Sequence, residues 1–170
     1  MADLTEYLKD LDIMAVPTLD DKLAECKYFY ELLKEETDQN KFRWLLGAFL
    51  NASYGYLEFK ASYLHYGFCH PETGDPLEDS DRLEILTNYV NVKKHGKTGF
   101  IKTSAFSELM KNLYKFRNRS THDGGIEIMK TGNNLPADFQ IEKFISEGIP
   151  ALNFCKEILD FFENLEAELD

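Results

Sequence analysis

The sequence predicts an all-α protein: an antiparallel helical bundle of four to five main helices, in a single domain over residues 1–170. Three observations predict it. Apolar residues recur every three or four positions through most long segments, the period that places them along one side of a helix. Segment 42–66 is apolar on more than one side, so it belongs at the centre of a bundle. Finally, 170 residues with 44% hydrophobic and 14% aromatic side chains can form one sizeable core but not two.

The elements follow in order. Leu4, Tyr7, Leu8 and Leu11 make a short amphipathic piece within an N-terminal arm, 1–17, which Pro17 closes. The bundle occupies 18–170. Its first helix starts within 18–21, carries Leu19, Leu23, Cys26, Tyr30 and Leu33, and is interrupted at 38–40. The second has one stripe of Phe42, Leu45, Phe49, Ala52, Tyr56, Phe59 and Tyr63 and another of Leu46, Leu50, Leu57 and Leu64, over a length a little under about 40 Å. Trp44, Tyr54, Tyr56 and Tyr63 have the rings to stack on nucleobases, but on so apolar a helix core packing is the better account.

A loop follows at 67–79, with Pro71, Gly74 and Pro76; Ser80 or Asp81 then caps a helix holding Leu83, Leu86 and Val90. After a basic loop at 93–102, Thr103 or Ser104 starts a helix with Phe106, Leu109, Met110 and Leu113. It ends near His122, before Gly124 and Gly125. Alternation of Ile126 and Ile128 and a turn at 130–134 predict a small hairpin within 126–140. Pro150 opens the last helix, whose stripe of Leu152, Cys155, Leu159, Phe162 and Leu169 is flanked by Ile158, Phe161 and Leu165.

Charge and composition narrow the function. Cys26, Cys69 and Cys155 are odd in number and far apart, which implies no disulfide framework and a reducing, cytoplasmic setting. The acidic first dozen residues do not resemble a signal or transit peptide, and the densest apolar run, 44–50, is far too short to span a membrane. The net charge of −11 argues against a general nucleic-acid binder. Its distribution is uneven, because 92–119 holds eight basic residues and one acid, a local +7 that leaves −18 elsewhere.

The chemistry concentrates at the end of the 104–122 helix. Arg117 falls on the apolar line of Phe106, where a charge is unfavourable without a partner, a cleft or another subunit. Lys111, Lys115, Asn118, Arg119 and His122 form a polar, basic edge suited to an anion; the plainer reading is a solvated helix end whose cations suit the dipole. His65, Cys69 and His70 lie close in sequence but lack a fourth ligand at zinc spacing, so no metal site is expected. Gly96, Lys97 and Thr98 have the wrong context for a phosphate loop, since Asn91 stands where its first glycine belongs.

The run Phe116, Arg117, Asn118, Arg119, Ser120, Thr121, His122 resembles the signature of the HEPN superfamily, in which an Arg followed by a polar residue precedes a His late in a bundle helix. The match is specific over some seven residues, within a bundle pattern from about 18 to 170, and looks most like the abortive-infection branch. The resemblance implies a metal-independent endoribonuclease without a cofactor, acting as a homodimer in bacterial defence or a toxin–antitoxin pair, with an antitoxin or regulatory protein as a further partner. It assigns catalysis to Arg117, Asn118 and His122, and the basic edge then makes Lys111, Lys115 and Arg119 the expected RNA-binding residues. Imidazole titrates near neutrality and can move protons, while a guanidinium is a permanent fork for phosphate. The competing reading is a non-catalytic helical module that binds RNA, a nucleotide or a protein.

Overall fold

The computed structural model describes residues 19–68, 90–91, 100–101, 107–122, 124–143 and 147–169. Among them are four helices: α1 (Leu19–Glu35), α2 (Gln39–Phe68), α3 (Glu108–His122) and α4 (Ala151–Leu169). The N-terminal arm, the loop at 67–79 beyond Phe68 and most of the expected 81–90 helix lie outside the described residues. The four helices form a bundle in which α2 packs against α1 and α3, and α4 against the same two.

Chain direction alternates between neighbours. Gly47 faces Ser120 while Tyr54 meets Arg117 and Tyr114, so α2 and α3 run antiparallel. Lys27 reaches Glu163 across from α1 to α4. On the diagonal, Tyr56 meets Phe162 while Lys60 meets Glu166, which makes α2 and α4 parallel.

Each helix buries most of the face its spacing prescribes, although Phe59, expected on the buried stripe of α2, is exposed near the far end of the helix. Cys26 and Leu33 are fully buried on α1; Phe42, Leu46, Phe49, Leu50 and Tyr56 on α2; Cys155, Ile158 and Phe162 on α4. At roughly 1.5–3 kcal/mol for each large apolar side chain withdrawn from water, this shared core holds the bundle together. Lys60 and Glu142 are also buried, and Lys60 and the Tyr56 hydroxyl both bond the Glu166 carboxylate. Asp38 caps α2, its Oδ1 accepting from the backbone N–H of Asn40 and Lys41 at 3.0 and 2.9 Å.

Among the described residues the protein is mostly helical, with short strands beside the bundle. Strands β1 (Val90–Asn91) and β2 (Phe100–Ile101) pair antiparallel, Val90 opposite Ile101. Val90 is therefore a strand residue and not the end of a helix, and the basic loop contains a strand at Phe100; β-branched Val and Ile favour that pairing. The expected hairpin is present as β3 (Ile128–Lys130) and β4 (Phe139–Ile141), extended by an unexpected third strand, β5 (Ile149–Pro150). Pro150 ends that strand instead of opening α4. Phe139 seats the sheet on Phe42 at 4.5 Å, and Gln39 Nε2 donates to the Ile128 carbonyl at 2.5 Å.

Candidate functional site

Helix α3 is set by its two ends. Ser107, not Thr103 or Ser104, is its N-cap: Ser107 Oγ accepts from the Met110 N–H at 3.4 Å and its carbonyl from the Lys111 N–H at 3.1 Å. Phe106, the expected head of the apolar line, lies outside the described residues. Helical structure continues through His122, and Gly124 and Gly125 then take φ of 82° and 121°, a turn that L side chains rarely tolerate. The Gly125 N–H donates back to the Arg119 carbonyl at 3.2 Å.

The apolar line of α3 runs through Met110, Leu113 and Phe116, and Phe116 packs edge-on against Phe154 of α4 at 5.5 Å. Fixing Phe116 fixes the next residue. Arg117 turns toward α2 and lays its guanidinium on the Tyr54 ring, 4.2 Å from the centroid. Its Nη1 donates to Asn118 Oδ1 at 3.0 Å, and its buried Nε–H has no partner among the described residues. An unfilled buried donor costs about 1–3 kcal/mol, so this guanidinium is positioned at the expense of its own hydrogen bonding. Burial, with the neighbouring Glu58 carboxylate, pushes the Tyr54 hydroxyl up to about 12, so the ring beneath Arg117 stays neutral.

The basic edge has a different environment. Lys115 and Arg119, one turn apart, both reach Glu142, Lys115 at 2.7 Å. Glu142 directly follows β4, is 8% exposed, and has the left-handed φ of 60°, uncommon for a residue with a long side chain. Lys111 is exposed and pairs with Glu108 at 3.2 Å. All three expected RNA-binding cations thus have a carboxylate of their own chain, and His122 stands exposed at the tip of α3.

No protein-family model, curated protein or solved structure matches the chain. The site's chemistry therefore rests on its side chains. Among the described residues, no group of three or more His, Cys, Asp and Glu is arranged to hold a metal ion, and the His65, Cys69 and His70 side chains fall outside them. Cys26 and Cys155 are buried and in no disulfide, and the Cys26 thiol donates to the Lys22 carbonyl at 3.2 Å; burial lifts both thiols, Cys26 to about 11.

Two features of the site leave no mark in the sequence. Glu142 was not identified, because its partners are more than twenty residues away and its backbone conformation leaves no sequence signal. Trp44 was assigned to the core, yet it is 64% exposed. Tyr56 is buried as expected, whereas Tyr54 is half-buried under Arg117. Trp44 borders a groove of about 420 Å³ that reaches Ser120, Gly124 and Gly125 at the end of α3.

Proposed function

We propose that this chain is a HEPN-type, metal-independent endoribonuclease that works as a homodimer in a bacterial defence or toxin–antitoxin setting. The observation that carries the reading is Arg117: a guanidinium stacked on Tyr54, its Nε–H without a partner among the described residues, five residues ahead of an exposed His122. Cleavage begins when the 2′-hydroxyl attacks the adjacent phosphorus and gives its proton to an imidazole. The new O–P bond forms as the bond to the 5′-oxygen breaks, and that oxygen takes a proton from an imidazolium. Arg117 offsets the extra negative charge on the phosphoryl oxygens, and Asn118 holds its fork in place.

Two proton transfers call for two imidazoles, and each chain has one His122. Because α3 is helical through His122, Arg117 and His122 point about 140° apart and do not share a face. A two-fold dimer that presents both pairs to one cleft meets both requirements. Lys115 and Arg119 meet RNA in exchange for Glu142.

The Glu142 ion pairs also favour a second reading, a helical module that binds without cutting, since they occupy two of the cations that RNA would use. Substrate chemistry separates the two. The ribonuclease reading predicts cleavage of RNA to a 2′,3′-cyclic phosphate end and no cleavage where the 2′-hydroxyl is replaced by hydrogen. Cutting at the deoxy position, or no cutting of any RNA, would contradict it.

A further inference from the structure

The His122 end of α3 adjoins a groove that the ribonuclease reading leaves unused. Arg43, Trp44 and Asn51 of α2 form one wall, and Ser120, Gly124 and Gly125 the other. At about 420 Å³ it falls within the range of small-ligand sites, roughly 300–1,000 Å³. It adjoins a second hollow of about 400 Å³ along the start of α2, with Arg43, Gly124, Gly125 and Ile126 common to both. Together they make a trough that runs past the residues flanking His122.

The groove's side chains are unusual for a structural surface. Trp44 is the most exposed large hydrophobic side chain among the described residues, on a helix that otherwise buries Phe42, Leu46, Phe49 and Leu50. Arg43 beside it makes a 3.4 Å hydrogen bond to Asn40 and no ion pair among the described residues. This sets it apart from Lys111, Lys115 and Arg119, each of which faces a carboxylate. On the opposite wall, the positions where Gly124 and Gly125 would carry a Cβ have nothing within 4 Å, which leaves that side open.

We infer that this groove is the base-binding subsite for single-stranded RNA, with Trp44 stacked on the base beside the scissile phosphate and Arg43 on the backbone. An aromatic platform beside an available cation is the chemistry by which single strands are held, because every base has a face to stack and every linkage a phosphate. The strand then passes Ser120 toward His122. This inference takes its ligand from the ribonuclease reading, but its test does not depend on catalysis.

Trp44 is the single tryptophan of the chain, so fluorescence excited selectively at the indole, beyond tyrosine absorption, reports on this groove. A short mixed-sequence single-stranded RNA is titrated into the His122→Ala protein. Saturable quenching of Trp44 is expected, and Trp44→Ala should weaken binding about 5- to 150-fold, the range for losing one stacked base. In the wild-type background the same substitution should raise KM by a similar factor with kcat nearly unchanged, while Arg43→Ala should flatten the salt dependence by about one phosphate contact.

Emission that stays constant while labelled RNA binds would overturn the subsite. So would emission that follows protein concentration alone, which would mark Trp44 as a contact between copies of the chain. Cleavage without quenching defeats the subsite and leaves the ribonuclease reading standing. Quenching without cleavage does the reverse.

Discussion

Glu142→Gln tests how the basic edge of α3 is used. The substitution keeps the side-chain shape and removes the charge that Lys115 and Arg119 share. Lys115 and Arg119 side chains are 46% and 40% exposed, so both return to water when Glu142 is neutralised. The stability loss should be that of weakened charge-assisted hydrogen bonds, about 1.5–3 kcal/mol, and not the roughly 3–5 kcal/mol of a fully buried broken pair. RNA binding should change the other way. Two released cations add about two phosphate contacts, each contributing near −0.7 to the slope of log K against log salt for a single strand, so the slope should become more negative by about 1.4. Over a fourfold drop in salt, that is an extra gain in affinity of about 7-fold. The assay is anisotropy of labelled single-stranded RNA in the His122→Ala background, alongside urea denaturation of the same proteins. An unchanged slope, or weaker binding at low salt, would show that Lys115 and Arg119 do not reach RNA.

Sedimentation at micromolar concentration should show a dimer, because Arg117 and His122 of one chain cannot face the same phosphate; a monomer that cleaves RNA would refute this. Phe116→Ala should lower unfolding stability by about 3–5 kcal/mol, since a fully buried ring against Phe154 is lost; a loss below about 1 kcal/mol would mean that Phe116 does not anchor α3. Thermal stability should fall as pH rises above about 9. Burial raises the Cys26 thiol from 9.0 to about 11, so between those values the unfolded chain releases a proton that the fold retains, and Tyr54 extends the loss toward about 12. A melting temperature that is flat or rising across that window would contradict the assignment.

The helices were legible because their signal is local. Phe42, Phe49 and Tyr56 of one stripe and Leu46, Leu50 and Leu57 of the other recur at helical spacing, and the structure buries both sets. Gly124 and Gly125 ended α3 where their positive φ requires. What was not legible depends on distant partners. An indole at Trp44 reads as core in any helical pattern, and only the packing of α2 against α3 shows that it is left exposed among the described residues. β5 is two residues long, and pairing with β4 creates it where the sequence shows only a helix start. Arg117 stands out in the sequence as a charge on the line of Phe106, but the structure puts Phe116 on the buried line and turns Arg117 beside it onto an aromatic face instead of a carboxylate, a choice that sequence spacing does not encode.

The proposed chemistry has Arg117 and His122 cleave RNA without a metal. Its most direct measurement is the initial rate of RNA cleavage in excess EDTA by the wild-type, Arg117→Ala and His122→Ala proteins, each checked by circular dichroism for an intact bundle. Wild-type activity should be full in EDTA, and His122→Ala should lower kcat by about 10² to 10⁴ with RNA affinity nearly unchanged. Arg117→Ala should lose turnover and some affinity together. Activity abolished by EDTA and restored by a divalent ion, or a folded His122→Ala protein that cuts at the wild-type rate, would contradict that chemistry.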